Sequence, residues 1–192
     1  MHTYGGFARV PTHPRFIYKD IKMLNEANFC MACGTALVRR ITDSDHERPV
    51  CPACGRVVYF DPKVAVSAFI TEGTRVLLIQ RGIEPQKGLW ALPAGFIEGS
   101  EDPEDGAIRE ALEETGLIIE IVRLLDVFPR RGGLGSADIT IGYEARIVGG
   151  TLQAGDDAVD VQWFEADQIP ELAFASTQTL VERWQVSLAA SK

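Results

Sequence analysis

The segment from Gly95 to Leu117, GFIEGSEDPEDGAIREALEETGL, constrains this 192-residue chain more than any other: five residues separate Gly95 from Glu101 and seven separate Glu101 from Arg109. Its second half reads as a helix. Asp102 suits the N-cap, Pro103 the first helical position, Asp105 the positive N-terminal end, and Gly116 the stop after the last turn. At about 100° per residue, Ala107, Ile108, Ala111 and Leu112 form one apolar stripe, and Glu110, Glu113 and Glu114 share an arc on the other side. The acidic arc lies at the negative end of the macrodipole, and Glu110 and Glu114, four residues apart, repel each other. A solvated helix gains nothing from this arrangement. It becomes favourable if hard divalent cations sit against the carboxylates, because Mg²⁺ takes oxygen ligands and a phosphate can complete its shell. The competing reading is an ordinary charged, solvent-facing helix.

The whole spaced pattern resembles the signature of the Nudix hydrolases, with every fixed position filled. The resemblance implies an αβα sandwich around a mixed sheet, and hydrolysis of a nucleoside diphosphate linked to another group. It makes Glu110 and Glu114 the principal metal ligands, Glu113 a ligand of an additional ion, and a backbone carbonyl near Ala94 or Gly95 a further donor. Two or three Mg²⁺ or Mn²⁺ would clamp the diphosphate and lower the pKa of a water that attacks phosphorus in line. Arg109 is expected to point off the metal face and to pair with Glu101 or Glu113, orienting the helix. Glu98 is an extra loop carboxylate, either touching metal or substrate or simply exposed. The general base in this family usually lies outside the signature. The candidates are Asp156, Asp157 and Asp160, and Asp157 matches best by its position relative to Trp163.

All four cysteines fall in two CxxC pairs, Cys30/Cys33 and Cys51/Cys54, with 17 residues between them. Two such knuckles match a zinc ribbon whose four thiolates leave no open position, so the expected zinc is structural. A disulfide pair or a redox CxxC is the alternative. Arg39, Arg40, Arg48 and Arg56 lie in this module, but so do Asp43, Asp45 and Glu47. The net charge of −8 also argues against broad attraction to nucleic acid or anionic membrane. No apolar run reaches the length of a membrane span and residues 1 to 22 contain no secretory apolar segment, so the expected compartment is the cytoplasm.

These features divide the chain into an extended lead-in (1–28), a zinc ribbon (29–60) and a Nudix domain (61–192). In the last, Val64 to Ile70 and Arg75 to Arg81 read as a hairpin, and Leu89 to Pro93 as a short strand. Leu117 to Phe128 reads as a strand pair or one long bent strand. Ile139 to Val148 is a strand turning at Gly149-Gly150, and Val159 to Glu165 a further one. Asp167 to Leu172 suggests a helical turn, and Ser176 caps a helix through Ala189 that buries Leu180, Val181, Trp184 and Leu188. The order β-β-β-α-β-β-β-α predicts an α/β (α+β) mixed sheet covered by helices.

The layout resembles that of NADH pyrophosphatases, but their Ser-Gln-Pro-Trp-Pro-Phe-Pro motif is replaced here by Phe128-Pro129-Arg130-Arg131-Gly132-Gly133. The chain is also similar, over about residues 29 to 185, to ribbon-containing Nudix proteins that include plant FAD and ADP-ribose pyrophosphatases. The shared stretches include Gly88 to Phe96 and Leu172 to Ser176. The implied substrate is ADP-ribose or FAD, cleaved to AMP and a monophosphate, with NADH hydrolysis or trimming of capped RNA as alternatives. Phe128, Tyr143 or Phe174 would stack on adenine, and Arg130 or Arg131 would meet the phosphates. Relatives that build the pocket across a dimer make a homodimer an open expectation.

Overall fold

The computed structural model describes residues 27–42, 46–129 and 138–190. It divides into two units, Met1–Asp61 and Pro62–Lys192.

In the first unit, strands β1 (Val38–Ile41) and β2 (Glu47–Val50) pair antiparallel, Val38 opposite Val50. Both knuckles are tight turns. Gly34 N–H donates to Cys30 O at 2.8 Å and Gly55 N–H to Cys51 O at 2.9 Å, and both glycines take the left-handed conformation (φ 71° and 75°) that a side chain would disfavour.

The second unit opens with β3 (Val64–Glu72) and β4 (Arg75–Arg81), joined at Gly73. The hairpin pairs only at its tip, Thr71 with Val76 and Glu72 with Arg75. Beyond the tip the strands diverge and recruit different partners. The expected strand over Leu89 to Pro93 is instead two short ones, β5 (Trp90–Ala91) on β4 and β6 (Ala94–Phe96) on β3, because Leu92-Pro93 carries the chain from one strand to the other. Helix α1 (Pro103–Thr115) follows, then β7 (Leu117–Pro129), β8 (Ile139–Gly150), β9 (Ala158–Glu165) and α2 (Ala175–Ala190).

β7 is a single strand whose register shifts three times against β8. β8 runs through Gly150 rather than turning at Gly149, since Gly150 (φ 89°) lies so close to Gly116 O and Ile118 N that no side chain fits there. β8 pairs parallel with β3 and antiparallel with β7, β9 pairs antiparallel with β4, and the seven-stranded sheet is therefore mixed. Residues 167–172 form a turn and a bridge from Leu172 to Trp90 rather than a helical turn, and α2 starts one residue before Ser176.

β3 is apolar on both faces, as a strand covered on both sides requires. Ala68 and Ile70 pack with Leu77, Ala111 and Leu117 towards α1, whereas Phe69 packs with Val76, Leu78, Leu180 and Val181 towards α2. The layers are thus helix, sheet, helix. No helix among the described residues is long and apolar enough to cross a membrane.

Candidate active site and metal centres

Local chemistry sets the acidic helix. The Asp102 side chain accepts from Glu104 N–H at 2.9 Å, Pro103 opens the first turn, and Gly116 (φ 68°) donates its N–H to Leu112 O at 2.9 Å. Helix carbonyls near the C-terminus lack intrahelical partners. Here the chain after β8 supplies them: Thr151 N–H bonds Gly116 O (3.1 Å), Gln153 N–H bonds Thr115 O (2.9 Å) and Gly155 N–H bonds Glu114 O (3.2 Å). Satisfying the end of α1 therefore carries the Gly155-Asp156-Asp157 turn to its acidic end.

The buried face of α1 is rotated from the expected stripe. Ala107 and Ala111 are buried as expected, but Leu112 is 47% exposed, whereas Thr115 and Glu114 are buried, Glu114 to 4%. The Glu114 carboxylate accepts the Ala94 N–H at 2.8 Å. Glu110 lies against Gly95, where a Cβ would stand 2.1 Å from its carboxyl carbon. Burial pushes the Glu114 carboxyl up to about 8, with the charges of Glu110 and Asp157 adding to it and the Ala94 N–H and Arg81 opposing. Burial also raises Glu110, against the pull of Arg109, and Glu113 and Asp156 raise it further. The turn thus sets Asp156 against Glu110 and Asp157 against Glu114.

Arg109 reaches more widely than expected. Its Nε and Nη2 donate to Glu101 (2.8 and 3.0 Å), Nη2 also to Phe96 O (3.0 Å), and Nη1 to Glu113 (3.1 Å) and to Glu110 (2.7 Å). It does not point off the face that carries the candidate ligands; it ties two of them together, because its five donors fork across one helical turn. Glu101 is held down at about 2 by Arg109 and accepts Glu98 N–H at 2.9 Å, while Glu98 itself is exposed.

Two oxygen-rich, partly desolvated carboxylates beside a backbone strand fit a hard divalent cation, whose charge would offset the burial that raises them. The space at Gly95 makes the same point from the backbone, since only glycine admits the Glu110 carboxylate there. Among the described residues, however, the four cysteines are the group whose donor atoms all converge within 4.8 Å; the glutamates are not drawn so close.

The cysteine Sγ atoms stand 3.6 Å (Cys30–Cys54), 3.5 Å (Cys33–Cys51) and 3.8 Å (Cys33–Cys54) apart. Thiolates at about 2.3 Å from a tetrahedral zinc stand about 3.8 Å from one another, so the cluster fits a structural zinc. The Thr35 hydroxyl, 3.4 Å from Cys33 Sγ, is the main cause holding that thiol down at about 6, whereas at Cys54 the downward pull of a backbone hydrogen bond at Arg56 is outweighed by the neighbouring thiols, which push it up to about 11.

Beside Ala94 and Gly95 opens a cavity of about 660 Å³, lined among others by Ser67, Arg81, Phe128, Phe174, Thr177 and Arg183. Phe128 and Phe174 thus lie where a ligand ring would meet them, with the Arg81 guanidinium 5.0 Å over Phe174. Tyr143 does not: it is buried with Val66 and Ala107 beneath α1, a core position that corrects its expected stacking role. Arg130 and Arg131 lie outside the described residues. Asp160 is engaged, accepting from Val161 N–H (2.8 Å) and Gln162 Nε2 (2.6 Å). Asp157 is exposed, and its backbone carbonyl accepts Gly82 N–H at 2.7 Å, which anchors the turn.

Sequence reasoning missed Arg81, Ser67 and the Asp126–Arg183 pair (2.7 Å). A signal existed for Arg81, the charged residue that ends the apolar run of β4. Ser67 and Arg183 become site residues only through the pairing of β3 and the packing of α2.

The NUDIX domain family model matches residues 61–184 and the Nudix N-terminal model residues 28–60. The chain is 39% identical over 132 residues to the ADP-ribose pyrophosphatase of Methanocaldococcus jannaschii, covering 67% of this chain and 78% of that protein. It is 32% identical over 146 residues to the NAD-capped RNA hydrolase NudC of Pseudomonas aeruginosa, covering 75% of this chain and 50% of NudC, so it spans half the length of that relative. A solved NUDIX hydrolase from Nitrosomonas europaea superposes with a TM-score of 0.74 at 32% identity, covering 83% of this chain and 90% of the other. On its sheet order, its filled signature and these matches, the chain belongs to the Nudix hydrolase family and carries that family's N-terminal zinc ribbon.

Proposed function

We infer that this protein hydrolyses the diphosphate of ADP-ribose or FAD, with Mg²⁺ or Mn²⁺ held by Glu110, Glu114 and Glu113. One observation carries the reading: Ala94 touches the buried Glu114, Gly95 touches the half-buried Glu110, and both also line the ring-bearing cavity. A diphosphate at the acids and a base in the cavity would then be two ends of one substrate. The M. jannaschii relative supports ADP-ribose, and the NudC relative supports NAD-capped RNA as a second substrate class.

When bound, the divalent cations supply charge neutralisation on the phosphoryl oxygens and activation of the attacking water. The chain's own residues do the rest. Arg109 fixes the rotamers of Glu110 and Glu113, and Gly95 leaves room for the first of them. Asp157, carried to the acidic end of α1 by the 151–155 connection, accepts the proton of the attacking water from an exposed turn. Arg81 faces the cavity from the Glu114 side and offers a cation to the substrate phosphates. Incubation of the protein and Mg²⁺ with ADP-ribose, FAD and NADH, with AMP as the readout, tests the reading. AMP release from ADP-ribose supports it, and absence of release from all three overturns it.

A further inference from the structure

The cavity contains one buried polar atom that the fold leaves unanswered. Ser67 is 4% exposed, and its Oγ has no hydrogen-bond partner among the described residues. Buried hydroxyls are almost always paired, so such an atom calls for an explanation. Its neighbours in the sheet cannot answer it. Ser67 stands in register with Ala94 of β6 on one side and Gly142 of β8 on the other, neither of which has a polar side chain. Asp126 of β7 is paired to Gly142 and so lies two strands from Ser67, about 10 Å away. A Cβ built on Gly142 would meet Leu180 Cδ1 at 3.0 Å, Phe128 Cε2 at 3.5 Å and Ser67 Oγ at 3.6 Å, so apolar groups close the flank of the hydroxyl. Ser67 lines the cavity together with Phe128, Phe174 and Leu92, and its hydroxyl lies in that wall with almost no exposed surface of its own.

We propose that Ser67 is a specificity-determining residue whose hydroxyl hydrogen-bonds the polar edge of the substrate's heteroaromatic base. This rests on the ADP-ribose reading above. A base suits the position better than a phosphate does. The groups that flank the hydroxyl beside Gly142 are apolar, Leu180 Cδ1 and Phe128 Cε2, whereas the Arg81 guanidinium that would meet the phosphates lies over Phe174. A neutral ring nitrogen or amine loses little hydration there, whereas a phosphate loses much.

The test compares wild type with Ser67→Ala by thermal unfolding, and by calorimetric titration with AMP, which has the base, and ribose 5-phosphate, which lacks it, both with Mg²⁺. Removing an unpaired buried hydroxyl leaves the ligand-free midpoint unchanged or raised, whereas removing a paired one lowers it. The expected result is a ligand-free midpoint at or above wild type, AMP binding weakened about two- to tenfold, and ribose 5-phosphate binding unaltered. Three results overturn the proposal: AMP affinity equal to wild type, an equal loss for ribose 5-phosphate, or a lowered ligand-free midpoint, which would assign the hydroxyl to the fold. Wild-type protein that neither cleaves ADP-ribose nor binds AMP would overturn the functional reading as well, an outcome separate from a working enzyme indifferent to Ser67.

Discussion

The Glu110 carboxylate occupies the space that a side chain on Gly95 would fill, with a Cβ there only 2.1 Å from its carboxyl carbon. The glycine that opens the signature and a glutamate 15 residues later are thus one steric unit. Gly95→Ala must displace Glu110. A misplacement on the order of 1 Å lowers turnover about 100-fold, while the fold persists because β6 pairs with β3 through its backbone. Steady-state kinetics with circular dichroism on the variant checks both halves.

Glu114 makes the metal-free protein sensitive to pH in an unusual direction. Its carboxyl is raised from 4.5 to about 8 by burial, so between these values the folded state binds more protons than the unfolded one. Its contribution is therefore fully present below about pH 4.5 and is lost as pH rises towards 8, at no more than about 1.4 kcal/mol per pH unit. In EDTA, Glu114→Gln removes this contribution's dependence on pH. Adding Mg²⁺ at pH 8 raises the unfolding midpoint of wild type more than that of the variant. Denaturation midpoints across the pH range measure all three.

Arg109→Ala leaves Glu101 without the guanidinium that holds it near 2, and frees Glu110 and Glu113 from their shared donor. Because the Glu101 shift is downward, the stability that Arg109 confers through it exists at neutral pH and vanishes as pH falls from about 4.5 towards 2. The variant melts below wild type at pH 7, and the gap closes on acidification. Arg109→Lys recovers only part of the loss, since an ammonium cannot reproduce the fork.

Asp157→Asn removes the proposed base while keeping the turn, whose anchor is the Asp157 carbonyl on Gly82 N–H. Turnover falls about 100- to 10,000-fold, with little change in unfolding midpoint. Asp160→Asn, whose side chain serves Val161 and Gln162, leaves turnover near wild type. Rates for the two variants side by side separate a base from an ordinary turn acid.

The ribbon carries its own expectation. Purified protein holds one zinc per chain by elemental analysis, and a strong chelator makes four thiols reactive that were protected before, as the Cys30, Cys33, Cys51 and Cys54 cluster requires.

What could be read from the sequence was local, and what could not was long-range. Asp102, Pro103 and Gly116 mark the ends of α1 because a cap is made by neighbours along the chain. Each CxxC knuckle is legible for the same reason. Glu114 looks by periodicity like a member of a solvent-facing arc; its burial depends on Ala94 N–H, which arrives from another strand. Tyr143 resembles a stacking residue until β8 is placed beside β3, and then it is core. Gly149-Gly150 reads as a turn because glycine pairs usually are turns, whereas here the second one admits the close passage of Gly116. Ser67 sits in an apolar run and gives no sign in the sequence that it faces a cavity.

In the proposed reaction the buried Glu114 and the half-buried Glu110 of α1 hold divalent cations that act on a diphosphate in the adjoining cavity. AMP release from ADP-ribose by wild type and Glu114→Gln, measured across a Mg²⁺ titration, tests it most directly. The expected result is no release without a divalent cation, saturable release with it, and a rate at least about 100-fold lower in the variant at every concentration. Release by wild type in EDTA, or full activity in Glu114→Gln, would contradict it.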